Sequence, residues 1–342
     1  MSTAPASAGR VGEIDALRGL AAVAVMLFHY TTRVTELYPG LGPATVGLPQ
    51  GHYGVNLFFI ISGYVIFMTL HRTRRPMDFV VSRFSRLFPA YWAAVFITFC
   101  ITHAWGLPGK LVSVTDALGN LMMIHNFFRI PHVDGVYWTL EVELLFYAGM
   151  FSLYLANMLR RIHTVLWALL ALRMVYHLSL VLAGTDLPWT VYRLLILGYI
   201  PWFAIGISIF LLVQPRDTED FRRSLWTIGA SLVVLAIVVS PAVSVLSAVM
   251  AAIVWAAASR RLPWLSHPVM VWLGAISYTL YLLHENIGWA FMLRLHDWGV
   301  PRDVGIVLAI TLSLFLATAL TRTVELPAMA WIRRRWRERQ GR

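Results

Sequence analysis

Cysteine is almost missing: Cys100 is the only one in 342 residues. That excludes an internal disulfide framework and a metal site built from cysteines. Charge is scarce too, at 13% of residues, while 58% are hydrophobic and mean hydropathy is +0.68. A soluble domain is not that apolar, so the bilayer must be the solvent for most of the chain. The opening stretch MSTAPASAGR has no apolar core, so no cleavable signal peptide is expected. No appended soluble domain is expected either, and no internal repeat is evident, which disfavours a repeat-built transporter. Acidic residues are outnumbered, 17 against 28 basic ones, for a net charge of +11. The arginines punctuate apolar segments and form no binding face. The excess therefore reads as membrane topology, and no nucleic-acid partner is expected.

What is there in abundance is apolar sequence. Runs long enough to span a bilayer fall near 16–33, 53–70, 79–104, 137–158, 164–183, 189–213, 224–240, 242–258, 268–293 and 304–332. Only Ser240-Pro241 divides the seventh from the eighth. The expected fold is an all-α integral membrane protein of about ten transmembrane helices, one domain over 1–342, multi-pass in the cell (inner) membrane. A short disordered N-terminus (about 1–11) and a basic C-terminal tail (about 333–342) complete it. Ten crossings put both termini on one side. That side collects 20 of the basic residues, Arg10 and Arg18 among them, and the other side 5, so both termini are expected in the cytoplasm. The longest outer segment, about 105–136, contains ALGNLMMIHNFF, which suits the interface or a re-entrant turn.

Polar residues inside these runs are the candidate functional groups, because ionisable side chains are costly in a bilayer. In DALRGLAAVAVMLFHYTTR, Arg18 and His29 lie eleven residues apart, so they share a helix face roughly 16 Å apart along the axis. Arg18 reads equally as a snorkelling anchor, and His29 as a cross-helix hydrogen-bond donor. The second run, GVNLFFIISGYVIF, has Asn56, Ser62 and Gly63 suited to helix packing, with Asn56 near the outer end. RFSRLFPAYW places Arg83 and Arg86 at i, i+3, a pair that repels unless an anion lies between; guanidinium geometry suits phosphate, and topology is the alternative. YWTLEVELLFY carries Glu141 and Glu143 on different helix faces, with Tyr147 one turn beyond Glu143. SYTLYLLHENIGW aligns Ser277, Tyr281 and His284 in one stripe, flanked by Tyr278 and Glu285. In TRTVELPAM, Arg322 and Glu325 are at i, i+3 and are expected to pair.

Six of these stretches, in order along almost the whole chain, resemble the membrane acyltransferase-3 family: DALRGLAAVAVMLFHY, GVNLFFIISGYVIF, RFSRLFPAYW, YWTLEVELLFY, SYTLYLLH and VELP. The resemblance implies a ten-helix enzyme that takes an acyl group from cytoplasmic acyl-CoA and places it on a hydroxyl, often of a sugar or glycan. It implies roles for Arg18 and His29, for Arg83 and Arg86, for Glu143 with Trp138 and Tyr147 around it, for Tyr281 and His284, and for Glu325. Two positions depart from the family pattern: Asn56 stands where many members have Asp, and Leu144 where many have a second Glu. Some members carry a fused extracytoplasmic hydrolase-like domain; without one, this chain is expected to act alone or with a separate protein.

On that footing, Arg83 and Arg86 with Arg18 are expected to bind acyl-CoA, acetyl-CoA first, through its phosphates. His29 is expected to be the general base, with Glu143 orienting its ring. Asn56, Trp138, Tyr147, Tyr281 and His284 are expected to contact the acceptor. His29, His284 and Glu143 lie on three separate segments, and no metal is expected. The main rival is a proton-coupled transporter or flippase for a saccharide or lipid-linked intermediate, with the buried His and Glu as relay. A structural subunit of a polysaccharide assembly system is the second.

Overall fold

The structure, a computed structural model, describes residues 12–341; the expected disordered stretch 1–11 with Arg10, and Arg342, lie outside the described residues. Every regular element among the described residues is helical. α1 (Gly12–Phe28) runs through a π-helical turn (His29–Arg33) into the short α2 (Val34–Leu37). Next come α3 (Gly54–Arg72), α4 (Pro76–Trp105), α5 (Val114–Asn120) and α6 (Trp138–Leu155). They are followed by α7 (Ile162–Ala183), α8 (Trp189–Leu194), α9 (Ile200–Val213), α10 (Thr218–Val238) and α11 (Pro241–Ala258). α12 (Pro268–Leu283) and α13 (Glu285–Asp297) meet at His284. α14 (Arg302–Leu320) passes through a second π-helical turn (Thr321–Glu325) into α15 (Leu326–Arg339).

A chain in hydrocarbon must satisfy its own backbone donors and acceptors, which long apolar segments do as helices. Local chemistry sets the ends. Pro76, Pro241 and Pro268 open α4, α11 and α12, where a missing N–H costs nothing. The Ser240 hydroxyl accepts the Val243 N–H at 3.2 Å, and this cap separates α10 from α11.

Seven helical stretches are long and apolar enough to cross a bilayer: Gly12–Leu37, Pro49–Arg72, Pro76–Trp105, Met158–Ala183, Thr218–Val238, Pro241–Ala258 and Arg302–Arg339. The three other expected spans are helical without being long apolar rods. In 137–158, Glu141 and Glu143 lower the hydropathy of α6. The run 189–213 is divided between α8 and α9, and 268–293 breaks at His284. The last run continues past 332 to Arg339, so most of the expected basic tail is helix.

α1 packs along α12 and against α3; α3 packs on α9, α12 and α13 pack on α14, and α15 folds back on α4. α1 and α12 meet backbone against backbone, as α3 and α9 do. A Cβ on Gly19 would lie 2.6 Å from the Gly274 nitrogen, and one on Gly274 would lie 2.4 Å from the Asp15 carbonyl oxygen. Small residues at a crossing let membrane helices gain packing energy where lipid supplies no hydrophobic drive.

Gly274→Val should therefore cost about 1–3 kcal/mol through overpacking. Gly229→Val, where an added Cβ meets nothing within 4 Å, is the control. Equal melting temperatures of the two variants in detergent would show that the α1–α12 approach tolerates a side chain.

Candidate active site

His29 opens the first π-helical turn, and π-turns recur at functional sites because the extra residue re-aims side chains. His284 stands at the α12–α13 break and is fully buried. Nδ1 of His29 lies 2.8 Å from Nε2 of His284. Nδ1 of His284 lies 2.9 Å and 3.1 Å from the carbonyl oxygens of Tyr281 and Leu280. Carbonyls only accept, so His284 Nδ1 carries the hydrogen, and in the neutral ring Nε2 accepts. His29 Nδ1 then donates, and His29 Nε2 is left with its lone pair. The Glu285 carboxyl oxygen Oε2 is 3.3 Å from that nitrogen. The surrounding backbone is held as well. Trp289 Nε1 donates to the His29 carbonyl at 3.1 Å, and the Tyr30 hydroxyl donates to the His284 carbonyl at 2.6 Å.

Asp134 anchors the outer side of this centre. Its carboxylate accepts the N–H of Val136 at 3.2 Å and of Asn286 at 3.1 Å, while the Asn286 amide donates to the Val133 carbonyl at 2.8 Å. The 133–136 loop is thereby bolted to the first turn of α13. Burial raises Asp134 above the usual carboxylate range, and its two backbone N–H bonds resist the shift. The Glu285 carboxyl sits directly on Gly135: a Cβ there would lie 2.3 Å from Glu285 Oε1.

A narrow cavity of about 40 Å³ opens among α1, α3, α6 and α12, with Arg18, Ser62, Glu143, Ser277, Tyr278 and Tyr281 in its wall. Tyr281 links it to the histidines, its ring centroid 5.8 Å from that of His284 and its hydroxyl 2.9 Å from Thr139 Oγ1. Among the described residues, no hydrogen bond or ion pair reaches the Arg18 guanidinium, whose Nε is buried. Arg83 Nε is buried and unpartnered as well; Nη2 donates to Ser82 Oγ at 3.0 Å, and the guanidinium lies 5.9 Å over the Tyr147 ring.

The remaining candidates fall elsewhere. Glu143 does not hold the His29 ring. α6 presents it to α3, where Glu143 Oε1 accepts from Ser62 Oγ at 3.0 Å and from the Tyr147 hydroxyl. His284 fills the orienting role instead, because α12 rather than α6 lies along α1. Arg86 is separated in function from Arg83: its Nη1 pairs with Glu325, and its guanidinium lies 5.7 Å over Tyr278. That corrects the expected Arg322–Glu325 pair. The π-helical turn 321–325 inserts a residue, so Glu325 turns inward at 1% exposure and Arg322 turns outward. Glu141 pairs with Arg193 at 2.6 Å. Trp138 packs on Tyr199 and Phe59, and Asn56 makes no side-chain hydrogen bond among the described residues and is not in the cavity wall. Glu285, Asp134, Asn286 and Arg193 are the site or support residues that the pattern of apolar runs did not single out as functional. The signal for the first two was an acid beside a helix end, at His284-Glu285 and Asp134-Gly135. Among the described residues, no group of three or more His, Cys, Asp or Glu is placed to hold a metal.

The helical bundle thus holds a bonded imidazole pair, an acid beside it and a cavity with Arg18 and Glu143 in its wall. The family model described as an acyltransferase domain, that of the acyltransferase-3 family, matches residues 11–322, and the chain belongs to that family. The exopolysaccharide production protein ExoZ of Rhizobium meliloti is 28% identical over 130 residues, 36% of this chain and 37% of that protein. The putative membrane-bound transacylase BcsY of Komagataeibacter xylinus is 25% identical over 237 residues, 65% of this chain and 56% of its own length. The O-acetyltransferase OatA of Staphylococcus aureus is 25% identical over 336 residues, 80% of this chain and 50% of its own. The chain thus spans about half the length, or less, of these curated relatives. No solved structure matches.

Glu325→Gln should lower stability by about 3 kcal/mol, because it strands the Arg86 charge in a partly buried site. Arg83→Met, which breaks no ion pair, should change it by less than about 1 kcal/mol. Melting temperatures in detergent check both; the reverse order would mean that Arg83 carries the structural load.

Proposed function

We propose that this protein is an integral-membrane O-acyltransferase that moves a short acyl group, acetyl first, from cytoplasmic acyl-CoA to a hydroxyl of a sugar or glycan. The observation that carries the reading is a line of groups. Arg18 in the cavity wall and Arg83 over the Tyr147 ring each keep a buried Nε–H without an acceptor, and Tyr281 connects the cavity to an imidazole whose Nε2 faces only the Glu285 carboxyl. Arg18 and Arg83 would take the phosphates of acyl-CoA, since buried Nε–H groups without partners need an acceptor. Arg86, already neutralised by Glu325, would frame the entrance rather than bind phosphate. The pantetheine arm would extend through the cavity and carry the thioester to His29. Glu143, with Ser62 and Tyr147, would balance the cation pair when no donor is bound.

His29 Nε2 would remove the proton of the acceptor hydroxyl as its oxygen attacks the thioester carbon and the C–S bond breaks. A neutral imidazole is suited to that work, and His284 would hold it in one tautomer. The excess of basic residues around 72–86, 160–161, 216–223, 260–261 and 333–339 supports a cytoplasmic donor side and both termini in the cytoplasm. The names of two relatives, O-acetyltransferase and exopolysaccharide production protein, support acetyl as the group and a glycan as the acceptor.

Deleting the gene should remove an acyl mass increment from cell-envelope glycans, read by mass spectrometry, and His29→Ala should reproduce that loss at normal protein level. Arg18→Ala with Arg83→Ala should raise KM for acyl-CoA at least about tenfold with a smaller change in kcat. Arg86→Ala should instead act through stability. Unaltered glycans in both deletion and His29→Ala strains would sink the reading.

A further inference from the structure

Glu285 is buried, with 5% exposure, yet among the described residues no hydrogen bond reaches its carboxyl. The nearest groups are a lone pair and a second acid; the cations Lys110 and Arg33 also face it, neither within ion-pair distance. Oε2 lies 3.3 Å from His29 Nε2, and Oε1 rests on Gly135, next to Asp134. Two neighbouring buried carboxyls do not both ionise readily. Asp134 accepts two backbone N–H bonds that stabilise its charge, and Glu285 accepts none. The proton of the pair therefore belongs to Glu285. A carboxylic acid facing a lone pair is an attractive contact, whereas a carboxylate facing it would be repulsive.

We propose that Glu285 is the general acid of the reaction, protonating the departing thiolate while His29 takes the proton of the acceptor hydroxyl. The inference rests on the acyl-transfer reading and adds a residue that the reading leaves out. The step balances. The acceptor O–H bond breaks and an N–H bond forms at His29 Nε2. The new C–O ester bond forms and the C–S bond of the thioester breaks. The acceptor hydroxyl takes the place of the Glu285 O–H at His29 Nε2, so the Glu285 O–H turns to sulfur; its proton passes there, giving free thiol, and leaves a carboxylate beside an imidazolium. Proton return from His29 Nε2 to Glu285 Oε2, across the same 3.3 Å contact, restores both groups without solvent. Asp134, through Gly135 and Asn286, acts as a positioning residue that keeps the proton on Glu285.

A general acid matters only when the leaving group needs a proton, and that gives the test. Purified protein in proteoliposomes is supplied with glycans from a deletion strain and either acetyl-CoA or 4-nitrophenyl acetate, whose phenolate leaves as a stable anion. Ester formation on the glycan is measured. Glu285→Gln should lower transfer from acetyl-CoA by about 100-fold and from 4-nitrophenyl acetate by no more than about threefold. Equal losses with the two donors, or no loss with acetyl-CoA, would overturn the assignment. If Glu285→Gln does not fold, Glu285→Asp is judged by the same donor ratio: preference for the activated ester supports the acid, and an unchanged ratio at reduced rate overturns it. Wild-type protein that transfers from neither donor would overturn the acyl-transfer reading itself, and this inference with it.

Discussion

The 2.8 Å hydrogen bond between His29 and His284 joins positions 255 residues apart, and the candidate site is built around it. The rings meet where α1 and α12 run side by side, with Gly19 and Gly274 letting the two backbones touch farther along the pair. The bond then does more than hold helices together. Because Tyr281 and Leu280 carbonyls take the His284 Nδ1 hydrogen, the direction of donation is set along the pair, and the free lone pair falls on His29 Nε2. A helix crossing thus determines a tautomer, and a tautomer determines which atom can do chemistry.

Charge in a bilayer obeys a simple demand: a buried ion needs a partner. Most of the chain complies. Glu141 is paired with Arg193, Arg86 with Glu325, and Arg216 with Asp220 at 2.6 Å. The exceptions are few: Arg18, Arg83 and Arg302 each have a buried Nε without an acceptor, and no hydrogen-bond donor reaches the Glu285 carboxyl among the described residues. The same rule separates residues alike in sequence: Glu141 from Glu143, and Arg86 from Arg83.

The bilayer as solvent, the helical class and the approximate spans were legible in composition and run length, since hydrocarbon leaves a backbone few options. The order of six motifs made the family legible as well, and the family model bears it out. His29 stood out as an ionisable group in an apolar run, and so did Arg18. Partner choice was not legible. The i, i+3 spacing of Arg322 and Glu325 suggested a pair, and a π-turn undid it by one residue. The placing of Glu143 beside His29 failed because spacing along one helix says nothing about which neighbour it faces.

By itself, the sequence determined the solvent, the secondary structure and the inventory of costly polar groups, because each depends on local composition and periodicity. Only the tertiary structure decided how the inventory is spent. Which acid lies 3.3 Å from His29, which arginine stays unneutralised and which nitrogen keeps its lone pair all depend on contacts between helices far apart in the chain. Such contacts follow from the close approach of small residues and the geometry of crossings, and no single segment carries that information.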